Sequence, residues 1–142
     1  MIKSKVLFLC TGNSCRTQMA EAFLRDLAGD RFEVTSAGAQ ETLLDSDAVD
    51  AMRELGLDIF GQSPKDVARF LGQRFTFVIT LCDRQQEPSC PIFPGAIWRQ
   101  HWSLENPTLA RSPEEHRAVV RIGLGIENNR QVVRQPVVAV PD

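Results

Sequence analysis

Two continuous apolar runs in the chain have the pattern of strands that are buried on both faces of a parallel sheet. KVLFLC at 5–10 ends at Cys10, and FTFVITL at 75–81, rich in β-branched and aromatic side chains, ends directly before Cys82. Two weaker segments, RFEVTS at 31–36 and AIWRQHW at 96–102, also favour strands. We expect the glycine that follows the first of these, in Ala37-Gly38, to break it.

Four helices are predicted between and after these strands, from apolar positions spaced three and four residues apart. The first follows Arg16 and stops near Gly29. The other three are expected to begin at hydroxyl caps: Ser46, Ser63 and Ser112.

This alternation of strands and helices predicts an α/β fold in a single-domain, three-layer sandwich, with a four-stranded parallel sheet and helices on both faces. The domain is expected to span 1–130, and 131–142 to form a C-terminal tail that either adds an edge strand or, as its prolines favour, stays mobile. Ligands of such sheets bind at the carboxyl ends of the strands. Cys10 and Cys82 are therefore expected to face one crevice.

The composition is that of an ordinary globular protein, with 43% hydrophobic residues, 24% charged residues and a net charge of −2 in 142 residues. This charge provides no general attraction for nucleic acid or an anionic membrane. The sequence lacks a recognisable signal peptide and a run long enough to span a bilayer, so a cytoplasmic location is predicted. We also expect a monomer. Four cysteines in such a chain favour thiol chemistry or metal binding over a disulfide scaffold.

The segment between the first strand and the first helix places a thiol and a guanidinium at the two ends of a short loop. Backbone N–H groups of such a loop can point inward at the positive end of a helix and bind a tetrahedral oxyanion. Arg16 would add a two-bond clamp, and the same field would stabilise the nucleophilic thiolate of Cys10. Gly12 and Asn13 suit positive backbone torsions. The predicted oxyanion-binding set is Thr11, Gly12, Asn13, Ser14, Cys15, Arg16 and Thr17, with the Thr17 hydroxyl placed to donate to the thiolate.

Zinc is the alternative use of the cysteines, because the spacing between Cys10 and Cys15 is acceptable for a pair of ligands. The longer gap from Cys82 to Cys90 is not typical of zinc sites, and a metal at the first pair would lie against Arg16. No metal is therefore predicted. His101 and His116 belong to no recognised spacing and are expected to serve packing or the solvated surface.

The run CTGNSCRTQMAE at 10–21, together with SAG at 36–38, VITLC at 78–82 and HWSLENP at 101–107, resembles a known family. It is similar to the low-molecular-weight protein tyrosine phosphatases and the thioredoxin-coupled arsenate reductases that share their fold. The phosphatases usually carry proline where this chain has Gln18, and tyrosine beside their acid loop, whereas this chain has no tyrosine. We therefore expect a reductase, with hydrolysis of phosphate monoesters through a Cys10 phosphoenzyme as the alternative.

The resemblance implies a relay of three cysteines. Cys10 attacks arsenic, Cys82 attacks the adduct and releases arsenite, and Cys90 takes over the disulfide, which reduced thioredoxin then opens. No bound cofactor is implied. Cys15 is expected to serve loop packing.

The sequence departs from the family at two positions. Where the family has an acid before proline, this chain has Asn106, and an amide supplies no proton, so Glu105 is the candidate catalytic acid. Some members resemble one another in a cation site to which Asn13, Glu21 and Ser36 correspond. The fourth position is Lys65, whose ammonium either takes the place of the cation against Glu21 or lies in solvent.

Overall fold

The computed structural model describes residues 3–40, 42–82, 91–102 and 111–117, together with the backbone of 126–127 and 130–131. At its centre lies a parallel sheet of four strands: β1 (Ser4–Gly12), β2 (Phe32–Gln40), β3 (Phe75–Thr80) and β4 (Ala96–His101). Their order across the sheet is β2-β1-β3-β4. The predicted four-stranded parallel sheet is confirmed.

The central strand β1 is apolar on both sides because both sides of the sheet are covered. Val6 and Phe8 belong to the core beneath helix α1 (Arg16–Ala28), which contributes Ala20, Leu24 and Ala28. Leu7 and Leu9 face the opposite core, where Phe75, Phe93 and a short 3-10 helix (Val67–Phe70) lie. Helix α2 (Ser46–Glu54) packs beside α1 through Val49 and Met52. Strand β3 also has a core on each side, with Val78 in one and Ile79 in the other. The two continuous apolar runs thus mark strands that are buried on both faces.

Strand β2 is longer than predicted, since it continues through Ala37 and Gly38 to Gln40. It stays paired with β1, with Cys10 opposite Gly38 and Gly12 opposite Gln40. A Cβ atom at Gly38 would lie 2.6 Å from the backbone nitrogen of Asn13. The glycine therefore allows the strand to approach the loop after β1 closely, and the prediction that it breaks the strand is wrong.

The start of α2 also differs from the prediction. Its cap is Asp45, whose carboxylate accepts a hydrogen bond of 2.8 Å from the backbone N–H of Asp47. Ser46 is the first residue of the helix. Because Asp and Ser are comparable caps, the two adjacent residues could not be separated by capping preference alone.

The helix expected from Ser63 begins later and is shorter. Asp66 caps the 3-10 helix by accepting a 2.9 Å hydrogen bond from the N–H of Ala68. Gly72, with φ of +90°, lies just beyond its end, as predicted. The Ser63 carbonyl instead accepts a 3.0 Å hydrogen bond from the side chain of Gln18 in α1.

The described residues after β4 include a helical segment and a short pair of strands. Residues 113–117 are helical, and the Ser112 hydroxyl accepts a 3.1 Å hydrogen bond from the N–H of Glu115, which confirms the predicted cap. Strands β5 (Ile126–Glu127) and β6 (Arg130–Gln131) form an antiparallel pair, and β6 spans the boundary predicted at 130. The rest of the tail, 132–142, lies outside the described residues. In the part of the chain that is described, no helix is both long and apolar enough to cross a bilayer.

Candidate active site

Cys10 lies within β1, completely buried, three residues before the strand gives way to a turn. Its sulfur is 3.4 Å from the hydroxyl oxygen of Thr17, the contact expected for a hydroxyl that donates to a thiolate. The thiol also contacts the carbonyl oxygen of Gly12. The Cys10 side chain is therefore held between the strand end and the first turn of α1.

The loop from Thr11 to Cys15 leads directly into α1, whose first residue is Arg16. The positive end of the helix therefore lies next to Cys10, as the sequence predicts. The glycines with positive φ in the described part of the chain are Gly56 and Gly72, so the positive torsion expected at Gly12 is wrong. A Cβ atom at Gly12 would come within 2.9 Å of the side chain of Thr42, and space is the reason for glycine there.

Arg16 connects the loop to the neighbouring strand. Its guanidinium is buried, and Nη1 donates a 3.3 Å hydrogen bond to the carbonyl of Leu81, the residue before Cys82. The Leu81 N–H in turn donates a 2.8 Å hydrogen bond to the carbonyl of Leu9. These bonds fix the end of β3 against the end of β1.

Cys82 is buried beside the same edge and takes part in a disulfide, whereas Cys10 and Cys15 are thiols. The Thr11 hydroxyl lies 3.8 Å from the Cys82 sulfur and is oriented to donate to it. The structure therefore brings Cys82 next to the loop that starts at Cys10.

Cys15 differs from the other two cysteines in its surroundings. Burial, followed by the negative charge of Asp45, raises the pKa of the Cys15 thiol well above its ordinary value, and the guanidinium of Arg16 only partly opposes this. Cys15 also packs with the apolar side chains of α1 and α2. A protonated, enclosed thiol is a poor nucleophile, which agrees with the packing role expected from the sequence.

The four residues that correspond to the cation site of some family members lie together beside the loop after β1. They are Asn13, Glu21, Ser36 and Lys65. Lys65 Nζ is 3.3 Å from Glu21 Oε1, and the Ser36 hydroxyl donates a 2.7 Å hydrogen bond to the same oxygen. Asn13 Nδ2 donates to Ser36 Oγ at 3.0 Å, and Arg25 forms a 2.8 Å ion pair with the other Glu21 oxygen. The sequence left two alternatives for the Lys65 ammonium, a place against Glu21 or a place in solvent. The structure shows the first.

His116 was expected to serve packing or the surface, and the structure corrects this. Its Nε2 is 2.8 Å from Asp45 Oδ2 and its Nδ1 is 2.6 Å from Asp47 Oδ2, so one ring joins two carboxylates. The backbone N–H of Asp45 donates a 2.9 Å hydrogen bond to the carbonyl of Ser14. In the described residues, these three side chains are the group that could hold a metal ion, and the cysteine pair considered for zinc is not part of it. The contact between His116 and Asp47 spans 69 positions of the sequence, which no local spacing could reveal.

A model of the low-molecular-weight phosphotyrosine protein phosphatase family matches residues 5–123. The chain belongs to this family. Within the family, it is similar to an arsenate reductase of Shouchella clausii, 41% identical over 120 residues that cover 84% of this chain and 86% of the relative. Its fold matches a solved arsenate reductase in the phosphate-binding state, with a TM-score of 0.67 and 34% identity over 82% of this chain and 87% of the other.

A further structural relative in the family is a thioredoxin-dependent arsenate reductase of Corynebacterium glutamicum. It is 28% identical, with a TM-score of 0.61, over 82% of this chain and 56% of that one. Similarity of fold alone does not separate reduction from ester hydrolysis.

Three positions that matter to the family comparison, Cys90, Glu105 and Asn106, lie outside the described residues. Their roles stay predictions. His101, which is described, has its Nδ1 2.5 Å from the Thr80 hydroxyl at the edge of the sheet, in agreement with the packing role expected for it.

Proposed function

We propose that this chain reduces arsenate to arsenite by a relay of three cysteines. The Cys10 thiolate attacks arsenic and forms a sulfur–arsenic bond as water leaves. The backbone N–H groups of residues 11–15 and the Arg16 guanidinium hold the oxyanion during this step. Thr17 donates its hydroxyl to the Cys10 sulfur, which stabilises the thiolate before the attack.

The electrons come from sulfur. Cys82 attacks the sulfur of Cys10, the sulfur–arsenic bond breaks, and its electron pair stays on arsenic, so arsenic(V) leaves as arsenite. A disulfide between Cys10 and Cys82 results. Cys90 then attacks Cys82, which returns Cys10 to its thiolate and leaves a disulfide between Cys82 and Cys90. Two thiols are oxidised for each arsenate reduced.

The observation that carries the proposal is the placement of a disulfide-bonded Cys82 beside a loop whose own cysteines are thiols. Thr11 Oγ1 is 3.8 Å from the Cys82 sulfur, at the edge where Arg16 also contacts Leu81. In this proposal the relay ends in a disulfide between Cys82 and Cys90, the remaining cysteine of the sequence. Ester hydrolysis has no use for a redox-active thiol at this edge, and the reductase relatives support the same conclusion.

Reduced thioredoxin is the electron donor in this proposal, by analogy with the thioredoxin-dependent relative. The donor opens the last disulfide by thiol exchange, so the enzyme needs no bound cofactor. The substrate is arsenate, with phosphate as a competing oxyanion of the same shape. A cytoplasmic monomer remains our expectation.

The test is arsenate-dependent oxidation of NADPH in the presence of thioredoxin and thioredoxin reductase, measured beside hydrolysis of a chromogenic phosphate ester. We expect arsenate turnover in the wild type and none in Cys10→Ser. Phosphate should still bind to that variant, because the loop amides and Arg16 remain. Ester hydrolysis without arsenate reduction would identify a phosphatase and refute the proposal.

Arg16 is assigned the two-bond contact to the oxyanion. Arg16→Lys should raise KM and lower kcat together, since an ammonium cannot reproduce the planar fork of a guanidinium. Arg53→Lys, at the exposed end of α2, is the matched control and should leave both constants unchanged. Unchanged kinetics in Arg16→Lys would remove this residue from the site.

Glu105 is proposed as the acid that assists departure of oxygen from arsenic. Glu105→Gln should slow turnover more than Asn106→Ala, because only Glu105 has a proton to give. Asn106→Asp should raise the rate of phosphate ester hydrolysis by restoring the acid that the family usually has there. Equal and negligible effects of the first two changes would mean that the protons of the oxyanion suffice.

A further inference from the structure

Gln18 is a completely buried amide in the first turn of α1, and contacts use both of its polar ends. Its Nε2 lies 3.0 Å from the carbonyl of Asn13, 2.9 Å from Asn13 Oδ1 and 3.0 Å from the carbonyl of Ser63. Its Oε1 accepts a 2.7 Å hydrogen bond from Gln62 Nε2. Carbonyl oxygens only accept, so the nitrogen of Gln18 must face them and the orientation of its amide is fixed.

The orientation of Asn13 follows by the same reasoning. Its Oδ1 accepts a 2.8 Å hydrogen bond from the backbone N–H of Lys65, a group that can only donate. Its Nδ2 therefore points the other way, to Thr17 Oγ1 at 2.6 Å and Ser36 Oγ at 3.0 Å. Gln18 and Lys65 thus hold the oxygen end of Asn13, and the nitrogen end is presented to Thr17.

This arrangement determines where the proton of Thr17 points. Thr17 Oγ1 accepts a hydrogen bond from Asn13, so its own hydrogen is available for the Cys10 sulfur, 3.4 Å away. A hydroxyl that donates to sulfur favours the thiolate over the thiol. A continuous series of hydrogen bonds therefore runs from Gln18 through Asn13 and Thr17 to the nucleophile.

We propose that Gln18 is a positioning residue for Cys10: it fixes the Asn13 amide, which directs the Thr17 hydroxyl onto the sulfur and keeps the thiolate available at neutral pH. The inference rests on the proposed role of Cys10 as nucleophile. Proline, which the phosphatases usually have at this position, has no amide to make these contacts. The reductase-type residue at 18 thus acts on the reactivity of the thiol.

The test is a pH titration of the Cys10 thiolate, followed by its ultraviolet absorbance in oxidised full-length protein, where Cys82 is already in a disulfide. A Cys15→Ala background removes the second thiol, and the same protein with Cys10→Ser gives the baseline. Gln18→Met keeps the volume of the side chain but can neither donate nor accept as the amide does. The matched control is Gln62→Met, which removes the partner of Oε1 and leaves the bonds to Asn13 intact.

We expect Gln18→Met to move the midpoint of the Cys10 titration to higher pH. At a fixed pH below both midpoints, the fraction of Cys10 present as thiolate should be about three- to tenfold lower than in the protein that has Gln18. Gln62→Met should leave the titration unchanged. Thr17→Val should move it in the same direction, and Gln18→Met should add little in that variant, because both act through one hydroxyl. If Gln18→Met does not fold, Gln18→Leu, which also removes the amide and keeps the site apolar, gives the same comparison.

An unchanged titration in a folded Gln18 variant, an equal shift in Gln62→Met, or shifts that add to those of Thr17→Val would each overturn the inference. The titration needs no arsenate, so its result does not depend on whether the wild type reduces arsenate. Turnover measured on the same proteins tests the proposed function separately. A purely structural role of Gln18 would lower the melting temperature without moving the midpoint.

Discussion

The ion pair between Lys65 and Glu21 gives a prediction whose size follows from the surroundings of the carboxylate. The Glu21 side chain is 4% exposed and has three partners: Lys65 at 3.3 Å, Arg25 at 2.8 Å and the Ser36 hydroxyl at 2.7 Å. Removing the sole cation from a buried carboxylate costs about 3 to 5 kcal/mol. In Lys65→Met, Arg25 remains as a cation, although its side chain is half exposed.

We therefore expect Lys65→Met to lower the free energy of unfolding by about 2 kcal/mol, less than the full cost of an unpaired buried charge. For a domain of this size the melting temperature should fall by about 4 to 8 °C. Urea unfolding of the wild type, Lys65→Met, Glu21→Gln and the double variant measures the coupling between the two side chains. Lys3→Met, at an exposed lysine, is the control for loss of a charge.

The salt dependence of the melting temperature tests whether the Lys65 ammonium occupies a cation site. If the ammonium of Lys65 takes the place of a cation, the smaller variant Lys65→Ser leaves a space beside Glu21 that a small cation such as potassium can enter. Potassium chloride should then raise the melting temperature of Lys65→Ser more than choline chloride does at equal ionic strength. The two salts should change the melting temperature of the wild type equally. A coupling energy near zero would refute the ion-pair argument, and equal effects of the two salts would refute the cation argument.

Three further predictions concern the cysteines and the loop. Cys90→Ser should release one arsenite per protein and stop with a disulfide between Cys10 and Cys82, detectable by peptide mapping; multiple turnovers would refute the relay. The pKa of the Cys15 thiol is raised in the folded protein by burial, so the stability that it contributes is complete below its unfolded-state pKa and is lost as the pH rises beyond it. Urea unfolding at about pH 7 and about pH 10 should therefore show a larger loss in the wild type than in Cys15→Ala, and equal losses would contradict the sign. Gly38→Ala should lower arsenate turnover more than Gly61→Ala, because an added Cβ at 38 meets backbone of the loop within 2.6 Å whereas the one at 61 meets nothing within 4 Å.

The sheet could be predicted because its strands have a local signature. The apolar run that ends at Cys10 belongs to the central strand, and the run before Cys82 belongs to its neighbour, so the pattern also placed two cysteines at one edge. The loop from Cys10 to Arg16 was recognisable for the same reason: its chemistry is contained in seven consecutive residues.

Two of the wrong predictions have the opposite cause, since each depends on a partner distant in sequence. Gly38 continues its strand because the loop near Asn13 passes close to it, and this proximity is not written in the residues around 38. His116 contacts Asp47 across 69 positions, and Asp45 lies two residues further away in the sequence. Local propensity describes what a segment prefers alone, and tertiary contacts can override that preference.

The bonds that join the ends of β1 and β3 set the order in which the site can be assembled during synthesis of the chain. Arg16 contacts Leu81 across 65 positions, and Thr11 contacts Cys82 across 71. A parallel sheet closes such long connections late, because the chain entropy lost in closing them is recovered only when the neighbouring strand is in place. A nascent chain that has emerged only as far as α2 therefore contains Cys10 and Arg16. It still lacks the Leu81 carbonyl that contacts Arg16, and it lacks Cys82, the residue after Leu81. On this reasoning, we expect the loop after Cys10 to meet Cys82 in the same folding step in which Arg16 meets Leu81.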